Sequence, residues 1–353
     1  MAYGENNPIS EKKIVMSKIL TIVIPVYNVE KYINKCLDSC FIYSTNEHGE
    51  KVLDEQLMSQ LEVIIVNDGT LDRSADLSRE YVNRYPAFFR QIDKKNGGHG
   101  SVWNLGLREA RGKYTRFLDS DDWLENLDLL VRKLESCDAD LVITPNLCHC
   151  ADERLWKLEI LDMEFGKVYD ADTFDWLNNR SHANYVFHHS CTYKTEILLQ
   201  YLPLFLENQY YDDVVLGPAS KIGAKSLVAY DFVLYHYQMD RPAQSISEEV
   251  QKKNISAKTK AMKHNIQFVE QHPVDSNSTK YLFFKEKLPK MYNFGYRGYF
   301  QFPYKENKKL TKDWDQWVKD NNPNVRTFFI RLYRLLPYCM YWMIVNSIVK
   351  LKG

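Results

Sequence analysis

The chain carries no net charge. Lys plus Arg and Asp plus Glu each number 46 of 353 residues, so duplex nucleic acid and other strongly charged partners find no global attraction. It also has no apolar run of the ~18–20 residues that a spanning helix needs. The nearest approach, Leu335–Val345, contains Pro337. The N-terminal stretch "MAYGENNPISEKKIVMS" lacks the apolar region of a signal peptide. The seven cysteines are odd in number and irregularly spaced, which disfavours a disulfide framework and favours a reduced, cytoplasmic setting. Repeats and low-complexity segments are missing. Two phosphate motifs fail as well. "GLREARGKY" places five residues between Gly106 and Gly112 and ends in Tyr114, so the P-loop spacing and hydroxyl are wrong. "NGGHGS" departs from G-x-G-x-x-G and follows the third strand of the pattern, not the first, which argues against a Rossmann dehydrogenase.

What is present is apolar and aromatic. Hydrophobic residues make up 45% of the chain, with 24 Tyr, 17 Phe and 7 Trp, enough for a sizeable core. Such aromatics suit carbohydrate stacking, interfaces or membrane edges without choosing among them. "ILTIVIPVYN" is a β-branched run ending in a turn, and "LEVIIVNDGT", "FFRQIDK", "YTRFLDSDD" and "ADLVITPN" repeat the theme. Amphipathic segments separate them: "KYINKCLDSCFIY", "LDRSADLSREYVNRY", "SVWNLGLREARG" with Ser101 as cap and Gly112 as stop, and "LENLDLLVRKLES". This alternation predicts an α/β fold with a doubly wound, mostly parallel sheet. Residues 44–60 read as a polar surface insertion. "VFHHSCTYK" and "SLVAYDFVLYHYQM" read as further strands, and everything beyond about residue 247 as helical. The polar residues collect at the strand ends, where such sheets bind ligands: Tyr27 and Asn28, Asp68, Asn96 to Gly98, and Asp119 to Asp122.

The cluster Asp119, Asp121 and Asp122 needs explaining. Adjacent ionised carboxylates repel unless a cation sits between them. Mg²⁺ and Mn²⁺ prefer oxygen ligands and commonly pair one or two carboxylates with substrate phosphates. Asp119 and Asp121 suit such a clamp. Asp122 equally suits a helix N-cap.

Taken in order, the motifs resemble the family-2 glycosyltransferases with the GT-A fold. They are "TIVIPVYNVEKYINKCLDS", "EVIIVNDGTLDRS", "KKNGGHGSVWNLGLREARGKYTRFLDSDDW", "YYDDVVLGP" and "YHYQMDRPAQSIS", covering about residues 19–247. The resemblance implies inverting transfer of a sugar, usually from a UDP-sugar, to a hydroxyl of a glycan or lipid-linked acceptor. A divalent cation, Mn²⁺ or Mg²⁺, would act as Lewis acid on the departing diphosphate, and one positioned base would serve the hydroxyl. Carried over, Pro25 and Tyr27 flank the uracil, Asp68 binds the nucleoside, and Asn96 and Gly98 line the nucleotide cleft. Asp119 contacts ribose or metal, and Asp121 is the main metal ligand. Asp213 is the base, with Asp212 orienting hydroxyls. Many members have Glu where Asp212 stands, Arg where Trp103 stands, and Arg where Gln238 stands. His99 is a candidate to replace the first cation, and Arg241 or Ser245 to reach the diphosphate. His236 is either a further metal ligand or a packed strand histidine. Asp212 and Asp213 also suit an N-cap.

The expected organisation is a tail (1–17), a catalytic domain (18–246, with a nucleotide-sugar half 18–146 and an acceptor half 147–246), a helical region (247–325) and a basic, aromatic segment (326–353). That last segment, which holds Arg326, Arg331, Arg334, Lys350 and Lys352 and no acid, suits an anionic membrane surface. It suits packing on the catalytic domain or a second subunit equally. Cys148, Cys150, His188 and Cys191 form a weak zinc candidate against the alternative of buried thiols. The segment after the first strand, "PVYNVEKY", lacks the Gly-rich basic loop of a sugar-nucleotide pyrophosphorylase. A silent nucleotide-sugar-binding scaffold is the remaining competitor. The processive Gln-Xaa-Xaa-Arg-Trp motif is missing too, so one sugar per encounter is expected.

Overall fold

The computed structural model describes residues 17–150, 152–160, 162–178, 188–239, 248–297 and 299–350. Eight strands build the main sheet: β1 (Lys18–Val26), β2 (Leu61–Asn67), β3 (Phe89–Asp93), β4 (Gly112–Phe117), β5 (Leu141–Ile143), β6 (Val168–Asp170), β7 (Cys191–Lys194) and β8 (Ser226–Ala229). They lie in the order β6-β8-β5-β7-β4-β1-β2-β3. β1 pairs in parallel with β2 and β4, β2 with β3, and β5 with β8. β7 runs antiparallel between β4 and β5, and β6 antiparallel on β8. The sheet is therefore mixed and mostly parallel, as its near-continuous apolar runs require. Leu20, Ile22, Val23 and Ile24 are all fully buried because helices cover both faces.

Those helices are α1 (Ile33–Asp38), α2 (Ser74–Arg84), α3 (His99–Glu109), α4 (Leu127–Ser136) and α5 (Leu216–Gly223). One apolar cluster joins Val23, Trp103 and Phe117; on the other face Ile22, Ile24 and Leu130 form a second. Strand order reverses between β1 and β4, and such a switch point opens a crevice for ligands.

Local chemistry moved several expected boundaries. The polar stretch 44–60 holds a hairpin, Tyr43–Thr45 with Lys51–Leu53, and a helix Glu55–Ser59. "SLVAYDFVLYHYQM" divides into β8 and a strand Tyr235–Gln238. The latter joins a separate four-stranded sheet, between Trp123–Leu124 and Asn146–His149, with Leu155–Leu158 on the far side of Asn146–His149. α3 starts at His99, not after Ser101. Gly98, at φ +78°, takes the N-cap position, and the Ser101 hydroxyl donates to its carbonyl at 2.7 Å. Gly112 opens β4 rather than closing the helix, which ends at Glu109.

Past residue 247 the chain is helical: after a short helix Glu248–Lys253 come α6 (Ile255–Gln271), α7 (Thr279–Tyr292), α8 (Tyr304–Asn321), α9 (Phe328–Leu335) and α10 (Tyr338–Lys350), with a single turn Phe294–Arg297 between α7 and α8. The expected boundary at 246 falls outside the described residues, and the core continues across it. Phe268, Phe283 and Phe284 share the cluster of Trp103, His264 Nε2 lies 3.0 Å from the Leu204 carbonyl, and Lys280 Nζ donates to the Ala224 carbonyl at 2.5 Å. A third cluster, of Tyr292, Tyr296, Tyr299, Trp314, Val318 and Ile330, organises the remainder. Among the described residues no helix is long and apolar enough to cross a membrane.

Candidate active site

At the end of β1 the chain turns through Asn28 in the left-handed region, φ +54°, which Asn tolerates better than most residues. Side chains from the β2–α2 turn lock it. Thr70 Oγ1 accepts from Asn28 N at 2.8 Å, Ser74 Oγ from Val29 N at 2.9 Å and Asp72 from Glu30 N at 3.0 Å. Tyr27 is left 45% exposed on the rim, while Pro25 remains in register opposite Val66.

Asp68 is buried beneath the cleft. Its carboxylate accepts from Lys94 Nζ at 2.6 Å, Gly97 N at 2.9 Å and Gly98 N at 2.8 Å, and its carbonyl from Asn96 Nδ2 at 3.0 Å. Asp68, Asn96 and Gly98 thus form one unit, in which Asp68 holds the loop that Asn96 and Gly98 present.

The acidic cluster divides by role. Asp122 accepts from the Tyr235 hydroxyl at 2.6 Å and from Gln238 N at 2.8 Å. Burial and the neighbouring Asp119 push its carboxyl well above the usual range. It anchors the strand Tyr235–Gln238. Asp119 is held by two histidines, His188 Nε2 at 3.0 Å and His99 Nε2 at 3.3 Å. Burial opposes its charge, but these two imidazoles draw its pKa well below the ordinary value. Ligand atoms of Asp119, Asp121 and Asp122 lie within 4.8 Å of one another, as do those of Asp119, His188 and His189. Asp119 and Asp121 supply hard oxygen donors of the kind Mg²⁺ or Mn²⁺ prefers, beside Asp122 in the same group.

Asp212 and Asp213 reach this point through α3. Asn104 binds the Phe205 backbone twice, donating to its carbonyl at 2.8 Å and accepting from its N–H at 3.0 Å, and Asn208 N donates to the Gly97 carbonyl at 2.7 Å. Glycine makes this approach feasible: a Cβ at Gly100 would lie 2.1 Å from the Leu206 carbonyl oxygen and 3.0 Å from Asp212 Oδ2. Tyr211, at φ +65°, then delivers Asp212 and Asp213 at the head of a helical turn, Asp212–Val215. A non-glycine residue held there stores local strain.

His99 joins the two sides. Its Nδ1 lies 3.0 Å from Asp212 Oδ2 while its Nε2 faces Asp119. Burial opposes protonation, but Asp212 and Asp119 prevail and raise its pKa well above the ordinary imidazole value. Asp213 is half-buried, and its carboxylate accepts no hydrogen bond among the described residues. Burial raises its pKa; Asp212 and Asp119 add to the shift, while His188 and His99 oppose it.

Trp103, where many members carry Arg, is a fully buried floor, stacked on Phe117 at 4.4 Å and tilted against the His99 ring at 4.1 Å. Two residues escaped the sequence-based site. His188, one of the zinc candidates, lies against Asp119 instead, its Nε2 3.0 Å from Oδ2. Arg116, fully buried on β4, donates to Thr192 Oγ1 at 3.0 Å and to the His189 carbonyl at 2.6 Å. Burial lowers its pKa to about 10, with Tyr235 among the opposing influences. An Arg inside an otherwise apolar strand pattern was the available signal.

Other candidates lie elsewhere. His236 has both ring nitrogens engaged, by Glu125 and by His149, each at 2.8 Å, and stacks on Trp123. It belongs to neither ligand group, so the packed strand histidine is what the geometry gives. The zinc candidates do not converge into such a group among the described residues: Cys191 sits in the Trp103 cluster, His188 is on Asp119, and all seven cysteines are free thiols. Gln238 spends its backbone N–H on Asp122. Arg241 and Ser245 lie outside the described residues.

The family model for glycosyl transferase family 2 matches residues 21–201, about half of the chain. Glycosyltransferase GlyA of Streptococcus pneumoniae is 32% identical over 154 residues, which cover 43% of this chain and 20% of GlyA. The chain therefore corresponds to only a fifth of that longer relative. EpsH of Bacillus subtilis, assigned as a glycosyltransferase, is 28% identical over 268 residues, covering 72% of this chain and 70% of EpsH. In fold the chain resembles S. aureus TarS 1–349, solved with UDP-GlcNAc, at a TM-score of 0.59 and 16% identity over 93% of this chain and 88% of that one. With the mixed sheet, its switch-point cleft and these likenesses in agreement, the chain belongs to glycosyl transferase family 2 and has a fold of the GT-A type.

Proposed function

We propose that the protein transfers a sugar from a nucleotide sugar, a UDP-sugar in the first instance, to a hydroxyl of a glycan or lipid-linked acceptor, with inversion and one sugar per encounter. The observation that carries this reading is the His99 ring between Asp119 and Asp212, which sets donor-side and acceptor-side acids against one another across a single imidazole. The UDP-GlcNAc in TarS supports the donor class.

Pro25 and Tyr27 border the base, and the loop held by Asp68 presents Asn96 and Gly98 to the nucleotide. Asp119 and Asp121 hold a divalent cation, which when bound supplies Lewis-acid neutralisation of the diphosphate. Asp213 takes the proton of the attacking hydroxyl. Its raised pKa suits this role, because a base desolvated toward neutral pH is both ionised and driven to accept a proton. Asp212, fixed by His99, orients the hydroxyls beside it. The expected setting is the cytoplasm or the inner face of a membrane.

The test is a screen of UDP-, GDP- and dTDP-sugars for metal-dependent thermal stabilisation and hydrolysis. Asp213→Asn should keep UDP binding while losing about 10²–10⁴-fold in turnover. Unchanged turnover removes Asp213 as base, and stabilisation by a nucleotide sugar without any turnover in the wild type identifies a silent binding protein.

A further inference from the structure

The two C-terminal helices are apolar on both sides. Ile330, Tyr341 and Val345 are fully buried, Ile330 within the third cluster and Tyr341 donating its hydroxyl to the Tyr296 carbonyl. The solvent side should then be polar, as in a surface helix of a soluble domain. Instead Phe328, Arg331 and Leu335 line the exposed face of α9, with Leu335 80% exposed. Met340, Met343, Ile344 and Ser347 line that of α10, with Met343 57% exposed. The spacing makes each row a single stripe. Exposed apolar side chains grouped along both helices in this way mark a site of contact.

Charge identifies the occupant. Residues 326–350 contain Arg326, Arg331, Arg334 and Lys350 and no acid. Arg334 is committed to Asp315 at 2.9 Å, whereas Arg326 and Arg331 are exposed. α8 adds Lys305, Lys308, Lys309 and Lys312, all exposed and spaced along one face, against the exposed acids Glu306, Asp313 and Asp320. Lys308 Nζ lies 5.6 Å over the Tyr338 ring, and Tyr304 packs 5.6 Å from Trp342. These contacts bring the lysine stripe and an aromatic pair to the border of α10. Lysines that project past an apolar face, with Tyr and Trp at its edge, suit the headgroup layer. A second copy of the chain would instead oppose like-charged stripes across a two-fold axis.

We infer that α9 and α10, bordered by the α8 lysines, lie on an anionic lipid surface with Leu335, Met340, Met343 and Ile344 inserted. This inference is independent of the chemistry at the cleft, and its test does not read catalysis.

The experiment is co-sedimentation of the full chain with vesicles of phosphatidylcholine alone or mixed with phosphatidylglycerol. The protein should pellet with the anionic vesicles, and less so as salt rises. Leu335→Asp with Met343→Asp should lower the bound fraction about tenfold on anionic vesicles. Lys305→Gln, Lys308→Gln, Lys309→Gln and Lys312→Gln together should lower anionic binding and leave neutral binding unchanged. This set alters only exposed side chains, and an unchanged melting curve verifies the fold of both variants. Wild-type protein that stays in the supernatant with anionic vesicles overturns the inference. So do variants that pellet as well as wild type. A dimer seen by light scattering, broken by Leu335→Asp with Met343→Asp and indifferent to vesicles, would assign the surface to a second copy.

Discussion

Gly100→Ala sets two known effects against each other. Gly100 is the second residue of α3, and alanine in a helix normally gains about 0.5–1 kcal/mol over glycine. Here the new methyl would lie 2.1 Å from the Leu206 carbonyl oxygen, where real contacts do not fall below 3.0 Å, so the backbone around Leu206 must retreat by 0.9 Å (3.0 − 2.1). Overpacking of this kind costs about 1–3 kcal/mol, which leaves a net loss of about 0–2.5 kcal/mol, centred near about 1, and a lower melting temperature. The larger effect is on rate. The same methyl would stand 3.0 Å from Asp212 Oδ2, so the displaced segment carries Asp212 and Asp213 with it. Misplacement of catalytic groups by about 1 Å can cost about 10²-fold. Steady-state turnover, calorimetric UDP affinity and a melting curve separate the effects: kcat falls, UDP affinity is nearly preserved, and the melt moves down. A variant that melts at or above wild type with full turnover would refute the docking of residues 204–213 on α3 as the device that positions the acids.

Asp121→Asn should abolish manganese-dependent stabilisation by UDP while the metal-free melt is retained; persistence of that stabilisation would place the cation elsewhere. The pH profile of kcat/KM should have an acid limb above the ordinary Asp range, because Asp213 has a raised pKa and is a base only when ionised; activity is full above that pKa and falls as protons occupy it. Asp72→Ala should cost about 1–2 kcal/mol in urea unfolding at pH 7. Burial opposes the Asp72 charge, but hydrogen bonds from Ser74, Thr70 and Glu30 lower its pKa to about 2. That contribution is therefore complete above the unfolded carboxylate pKa and lost as pH falls toward 2, discounted here for partial exposure. Equal stability of variant and wild type at pH 7 would show that the turn does not depend on this carboxylate.

The parallel half of the sheet was legible because strands buried on both faces write themselves as unbroken apolar runs, and β1, β2 and β4 stand where those runs do. The end of β4 was legible because three acids in four residues are costly without a reason. What escaped was non-local. His188 meets Asp119 only because β7 inserts next to β4, 69 residues apart in the chain. "SLVAYDFVLYHYQM" reads as strand throughout, and nothing in its alternation announces that Tyr235–Gln238 leaves for a second sheet to satisfy Asp122. α3 began before its apparent cap because the Gly98 backbone, not a side chain, makes the entry.

The place of β7 has a consequence for biogenesis. Since Cys191–Lys194 separates β4 from β5, a nascent chain that has left the ribosome only as far as Ile143 has no neighbour for either edge, and the sheet closes only after some fifty further residues have emerged. Until β7 arrives, two hydrogen-bonding edges stand open, the condition under which strands pair with the wrong partner.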